Sequence, residues 1–396
     1  MKEPTPSPLQ ATPLMVDGKL FFCTQTNVVF ALDPETGKQA WRFDPKVDPT
    51  GGSVVRACRG VSYHDGAPGL ANGTAPFCAR RIITATFSAK LIALDSQTGK
   101  PCPTFGTGGF VDLKEGQGEV VPGFYYVSSA PAIVRGTIVV GGWVADNVST
   151  DEPSGVIRGY DVDTGKRRWA WDAGNPGNHN GPPAGQWYTR STPNSWAPMS
   201  VDEQLGLVYV PTGNATPDHF GGLRSAASLK YGSSVVALDA ASGELLATLT
   251  STTFCRADGG FGGPTGPVKT VHELPTRAAD HSVDFATQPR AALIYRLSGD
   301  YNPLHAEPAV ASAAGFKRPI LHGLATYGIA GWAVVKQVCG GDPAAMQSLD
   351  VRFSSPVYPG ETIRTELWVD GKVVSFRARA VERDILVLNN GRAELR

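Results

Sequence analysis

Four times within its first 246 residues the chain repeats one pattern, an apolar run followed by Asp-x-x-Ser/Thr-Gly. The copies run from Val28 to Lys38, Lys90 to Lys100, Val156 to Lys166 and Val235 to Glu244. Each reads as a strand that ends in a tight turn. The Asp can accept hydrogen bonds from backbone amides within the turn, and the Gly supplies a positive φ. In two copies a tryptophan, Trp41 or Trp169, follows at the same offset past the glycine and can dock between neighbouring sheets. A unit of this size cannot bury its apolar face alone, so repetition predicts stacked sheets closing into a β-propeller.

Residues 10–246 resemble the membrane-bound quinoprotein dehydrogenases of the glucose/quinate/shikimate group. The resemblance is carried by Ala11-Thr-Pro-Leu, Cys58-Arg-Gly-Val-Ser-Tyr-His64, Ser154-Gly-Val-Ile-Arg-Gly-Tyr160, Thr192-Pro-Asn-Ser-Trp-Ala-Pro198 and Leu207-Val-Tyr-Val-Pro-Thr-Gly-Asn-Ala-Thr-Pro-Asp218. It implies an eight-bladed propeller, of which about four blades are expected here, and the cofactor pyrroloquinoline quinone (PQQ) beside a divalent cation. It also implies that Asn214 faces the cation and that Gln186 and Trp187 lie near the quinone. Trp187 reads rather as an aromatic that packs between blades. His64 and Arg59 sit in a family motif without a readable role. A hard cation wants ~6–8 oxygen ligands. One Asn does not supply them, and the Asp and Lys of the family's later blades are missing, so PQQ is not expected to bind and no metal site is assigned.

After about Leu246 the repeat never returns. Leu246 to Cys255 reads as one strand, and Arg256 to Pro267 as a Gly/Pro linker. Alternation predicts a strand over 281–287, strands over 349–353, 362–369 and 373–381, and a fourth over 384–388. A short helix is expected over 288–297 and a longer one over 319–338, with Gly323, Gly328 and Gly331 along it. Periodicity alone supports an α+β domain. The expected organisation is a truncated propeller over 1–246, a remnant strand and linker over 247–279, and an α+β domain over 280–396.

The densest signal is Tyr295-Arg-Leu-Ser-Gly-Asp-Tyr-Asn-Pro-Leu-His305, with Ala311 six residues on. A carboxylate and an imidazole five residues apart on a tight loop can grip one water together. Gly299 and Pro303 are suited to fixing that loop. Asn302 is suited to bonding the backbone or orienting the carboxylate. An Asp before a turn is also a common Asx-turn or helix cap, and a lone His is often a satisfied polar group.

This segment, Ala314-Gly-Phe-Lys-Arg-Pro-Ile-Leu-His-Gly-Leu-Ala-Thr-Tyr-Gly328 and Val351-Arg-Phe-Ser-Ser-Pro-Val-Tyr-Pro-Gly-Glu-Thr362 resemble the hydratase-2 and MaoC-like enoyl-CoA hydratases. The resemblance implies a hot-dog fold, an acyl-CoA substrate and an (R)-3-hydroxyacyl product. It implies Asp300 and His305 as the catalytic pair, with Asn302 beside them, and the Gly323 N–H as donor to the thioester oxygen near a positive helix end. It also implies pairing of hot-dog domains, so a homodimer is expected. His322 reads as structural, and Lys317 and Arg318 as a solvated turn rather than a CoA phosphate contact.

Composition trims the alternatives. Lys plus Arg and Asp plus Glu both number 36, which argues against nucleic acid or an anionic membrane as partner. No secretory signal, no apolar run of ~18 residues and therefore no membrane segment is visible, and a cytoplasmic location is expected. The six cysteines have no zinc spacing. Cys58 and Cys78 flank one loop and suit pairing in an oxidising compartment; in the cytoplasm free thiols are expected. Three whole-protein readings follow: an enoyl-CoA hydratase, a PQQ-dependent dehydrogenase, and an inactive fusion of two enzyme fragments.

Overall fold

The computed structural model describes residues 10–47, 56–71, 74–218, 222, 224–252, 260, 262, 270–297 and 300–396. The expected linker, apart from Gly260 and Gly262, lies outside the described residues, as do Cys255 and Gly299. The chain forms two compact units, Met1–Arg256 and Ala257–Arg396.

Among the described residues the first unit holds four four-stranded antiparallel sheets. The first is β1–β4 (Leu14–Val16, Lys19–Cys23, Val29–Leu32, Gln39–Phe43) and the second β5–β8 (Ser62–Asp65, Arg80–Ala85, Lys90–Asp95, Phe110–Asp112). A short strand β9 (Tyr125–Tyr126) precedes the third, made of β10 (Ala132–Val134), β11 (Thr137–Val140), β13 (Ile157–Asp161) and β14 (Arg167–Trp171). Between them β12 (Trp143–Val144) pairs with β9. The fourth is β15–β18 (Ser200–Asp202, Leu207–Thr212, Ser234–Asp239, Leu245–Thr250), with helix α1 (Ala226–Tyr231) between its second and third strands.

The repeated turn has the expected chemistry. The Oδ1 atoms of Asp33, Asp95, Asp161 and Asp239 accept the backbone N–H of Thr36, Thr98, Thr164 and Ser242 at 2.7–2.9 Å, and the hydroxyls of the same residues at 2.7–2.8 Å. The glycine that closes each turn has φ between +67° and +75°.

Strand alternation then assigns the cores. In the second sheet Ile82, Ile92 and Leu94 face the cluster with Phe21, Val29 and Trp41 of the first. Their neighbours Ile83, Leu91 and Ala93 face the cluster with Ile138 and Val140 of the third. Trp41 crosses to the next sheet, donating its indole N–H to the Ser96 carbonyl at 3.0 Å. Trp169 repeats this at the Ala240 carbonyl, 2.9 Å away.

Two expectations fail here. Residues 245–250 do not belong with the linker: β18 pairs with β17 from Ser234↔Thr250 to Leu238↔Leu245. It is the outer strand of the fourth sheet because the turn at Asp239–Gly243 folds it straight back. The described cysteines of this unit are not free thiols, and Cys58 does not pair with Cys78. The bonds are Cys23–Cys58 and Cys78–Cys102, with Cα atoms 6.0 and 5.6 Å apart. Cys58 and Cys78 lie on either side of β5 and enter different cores, and each meets the cysteine buried in its own core.

In the second unit a five-stranded antiparallel sheet has the order β19-β21-β22-β23-β20. Its strands are β19 (His281–Ala286), β20 (Met346–Phe353), β21 (Thr362–Asp370), β22 (Val373–Ala380) and β23 (Ile385–Leu395). Two short helices, α2 (Ala291–Arg296) and α3 (Pro308–Ala313), precede α4 (Gly323–Gln337). Helix α4 packs on the sheet through Ala330 and Val334 against a cluster that holds Leu367, Phe376 and Val387. A Cβ at Gly331 would stand 3.0 Å from Leu349, so the small residue sets how closely helix and sheet approach; Gly328 has nothing within 4 Å.

Candidate active site

The loop after α2 and the start of α4 bring the expected pair together with a third side chain. Asp300 Oδ1 accepts the Asn302 N–H at 3.2 Å, and Asn302 Oδ1 accepts the Leu304 N–H at 3.0 Å. Asn302 thus caps the 3-10 turn Pro303–His305, whose proline has no N–H to satisfy. That turn carries the buried His305 ring inward, while the Asp300 side chain stays half exposed.

His305 Nδ1 lies 2.8 Å from the Ile320 carbonyl oxygen. A carbonyl only accepts, so Nδ1 carries a proton, and in the neutral ring Nε2 keeps a lone pair. His322 is 1% exposed and stacks on His305, with centroids 3.8 Å apart and planes 27° apart. The Tyr295 ring lies 4.5 Å from that of His322, tilted by 36°. His322 Nε2 reaches the Asp300 backbone oxygen at 3.3 Å and the carboxylate Oδ2 at 3.9 Å. Burial, and then the charge His305 would carry, hold the His322 imidazole below its usual range. Next in sequence, Gly323 opens α4, where the first N–H groups of a helix lack partners within it. A Cβ on Gly323 would meet the Phe353 ring at 3.3 Å.

Ligand atoms of Asp300, His305 and His322 lie within 4.8 Å of one another, the one such trio of His, Cys, Asp and Glu among the described residues. Two imidazoles in near-parallel planes send their in-plane lone pairs side by side rather than toward one point. The trio therefore suits a hydrogen-bonded water better than a metal ion.

The remaining expected residues are placed as follows. Arg318 stacks its guanidinium on Tyr358, 5.2 Å from the ring centroid. In the first unit Asn214 donates to Asp218 Oδ1, and its carbonyl oxygen accepts the Ser233 hydroxyl at 2.6 Å. Trp187 is not packed between sheets: it is 57% exposed and lies over Gly118. Gln186 closes a local turn onto the Pro183 carbonyl at 3.0 Å. Arg59 donates to Ser128 Oγ at 2.7 Å and lies over Trp196, and burial lowers the His64 pKa. Both ends of the Asn214 amide are thus engaged within the first unit.

The family model described as glucose/ethanol/alcohol dehydrogenase, β-propeller domain, matches residues 1–246. The chain belongs to this PQQ dehydrogenase family. A model of the MaoC like domain matches residues 269–390, so the second unit is a MaoC-like hydratase domain. Among curated relatives of the PQQ part, the glycerol dehydrogenase large subunit of Gluconobacter thailandicus is 44% identical over 240 residues, 59% of this chain and 31% of the relative. The quinate/shikimate dehydrogenase (quinone) of Acinetobacter baylyi is 46% identical over 249 residues, 59% of this chain and 30% of the relative. The peroxisomal enoyl-CoA hydratase 2 of Arabidopsis thaliana is 44% identical over 156 residues, 37% of this chain and 50% of the relative. The chain thus spans about a third of these dehydrogenases and half of that hydratase.

Sequence reasoning gave His322 a structural part and so missed its stacking on His305. Its place immediately before the expected oxyanion glycine was the signal that could have found it.

Proposed function

We propose that the second unit adds water to trans-2-enoyl-CoA, giving (R)-3-hydroxyacyl-CoA. The observation that carries this is the half-exposed Asp300 carboxylate beside a His305 whose Nδ1 is held by a backbone carbonyl. In this reading Asp300 and the free Nε2 of His305 hold one water. Its hydroxide adds to C3 as the C2–C3 π bond opens, its proton is taken by the pair, and a proton returns to C2, so one water adds to one enoyl thioester and nothing else is consumed. The Gly323 N–H at the positive end of α4 bonds the thioester oxygen as negative charge develops there. Asn302 keeps the loop shape through its bond to Leu304.

The test is loss of enoyl-thioester absorbance when the chain meets crotonyl-CoA, beside Asp300→Asn. Loss with the parent alone supports the reading; loss with both removes Asp300 from the chemistry, and loss with neither overturns it. Pairing of two hot-dog domains is supported by apolar side chains left exposed on α4, Leu324 at 57% and Trp332 at 41%. A sedimentation measurement giving monomers at micromolar concentration would sink that pairing.

A second reading, an inactive fusion of two enzyme fragments, is favoured by the disulfides. Two such bonds in the first unit suit an oxidising compartment, whereas acyl-CoA chemistry suits a reducing one, so the cytoplasmic expectation fits the second unit better than the first. Among the described residues no helix is long and apolar enough to cross a membrane. PQQ oxidation of a polyol or sugar stays as an alternative, which the engaged Asn214 does not support. Limited proteolysis that destroys the first unit and leaves a stable C-terminal fragment favours the fusion; one undigested body argues against it.

A further inference from the structure

The hydration chemistry proposed above uses Asp300, His305 and Gly323 and leaves His322 without a task. Yet His322 touches the whole apparatus. It caps α4 immediately before Gly323 and stacks on the His305 ring. Its Nε2 lies 3.3 Å from the Asp300 carbonyl oxygen, and the Tyr295 ring lies 4.5 Å from its own. As a helix cap it makes no side-chain bond to its own helix, so capping does not explain an imidazole there. As filler an apolar side chain would serve better, because the buried Nδ1 has no hydrogen-bond partner among the described residues.

We propose that His322 is a positioning residue: it clamps the His305 ring by stacking and ties the Asp300 backbone to the start of α4. The inference rests on the hydratase reading. Two independent links join at this one side chain. The stack fixes the plane of His305 and hence the direction of its Nε2 lone pair. The Nε2–H bond to the Asp300 carbonyl fixes the loop that carries the carboxylate. Because the next residue is Gly323, one rigid group sets the distance between the water-holding pair and the thioester-oxygen donor. Geometry of this kind bears on the reacting complex rather than on binding of the CoA body, so its loss falls on kcat. A misplacement of about 1 Å in such an apparatus costs on the order of 10²-fold in rate.

The experiment compares the full chain with His322→Ala and His322→Gln, by crotonyl-CoA kinetics and by circular dichroism with thermal melting. The glutamine amide nitrogen reaches about as far as Nε2 and can still donate to the Asp300 carbonyl, but glutamine does not stack. The expected result is a kcat lowered roughly 10²-fold in His322→Ala, with KM within about twofold of the parent. His322→Gln should recover part of that loss while folding as the parent does. An unchanged kcat in either folded variant overturns the proposal, as does a loss that follows the lost folded fraction or appears in KM alone. A parent chain with no hydration activity overturns the hydratase reading and this inference with it; an active parent with indifferent variants overturns this inference alone.

Discussion

At the scale of single residues, the two units depend on carboxylates in opposite ways. Asp300 is half exposed and reserved for the proposed chemistry. Asp300→Asn keeps the turn's acceptor to the Asn302 amide but removes the charge. Hydration of crotonyl-CoA should fall by at least ~10²-fold with an unchanged circular dichroism spectrum. The turn carboxylates of the first unit do structural work. Burial pushes Asp161 up, but the Thr164 hydroxyl and amide and the Arg168 side chain outweigh it and hold Asp161 at about 2, against an ordinary 3.8. The Thr36 hydroxyl lowers Asp33, and Ser242 lowers Asp239 against the opposing effect of burial. A depressed folded pKa gives stability that is complete above the unfolded value and lost as pH falls through the folded one. The urea midpoint of the first unit, read by tryptophan fluorescence, should hold from pH 7 to about 5 and drop between about pH 4 and 2. A midpoint indifferent to pH over that lower window would remove these turns from the stability of the unit.

At the scale of elements, each sheet leans on the turn of the next. A Cβ at Gly99 would stand 2.5 Å from Trp41, and one at Gly243 would stand 2.6 Å from Trp169. Gly37 has the same left-handed backbone with nothing within 4 Å. Gly37→Ala therefore loses only the backbone preference, while Gly243→Ala also displaces a buried indole. Gly243→Ala should cost more than Gly37→Ala by about 1–3 kcal/mol in urea unfolding. Equal costs would mean that the tryptophan docking contributes little. These elements were legible because local chemistry dictates them: Asp, Ser or Thr and Gly at fixed spacing make the turn wherever it sits. The helix over 288–297 shortened to Ala291–Arg296, because no side chain caps its start at Arg290. The helix over 319–338 begins only at Gly323. Residues 319–322 are held by contacts across the unit, such as Leu321 to the Val357 carbonyl at 2.7 Å.

At the scale of the whole molecule, the disulfides set a condition on the first unit. They join residues 35 and 24 apart in sequence, and each should stabilise by about 3 kcal/mol through the loop it closes in the unfolded chain. Reduction with dithiothreitol should lower the melting temperature of the first unit and leave hydration of crotonyl-CoA unchanged. A thiol count that finds these four cysteines already free in the purified chain would contradict the bonds.

The sequence by itself determined the two-part organisation, the repeated turn, and the loop that presents Asp300 and His305. Each of these is a local matter, encoded in residues close together in the chain. Only the tertiary structure decided which cysteines pair, that β18 closes the fourth sheet, that Asn214 is engaged by Asp218 and Ser233, and that His322 lies against His305. Those outcomes depend on which distant residues burial brings into contact, and neither spacing nor composition carries that distance. His322 and His305 are 17 positions apart in sequence, and they meet because the backbone of Ile320 and the start of α4 fold back over the 3-10 turn.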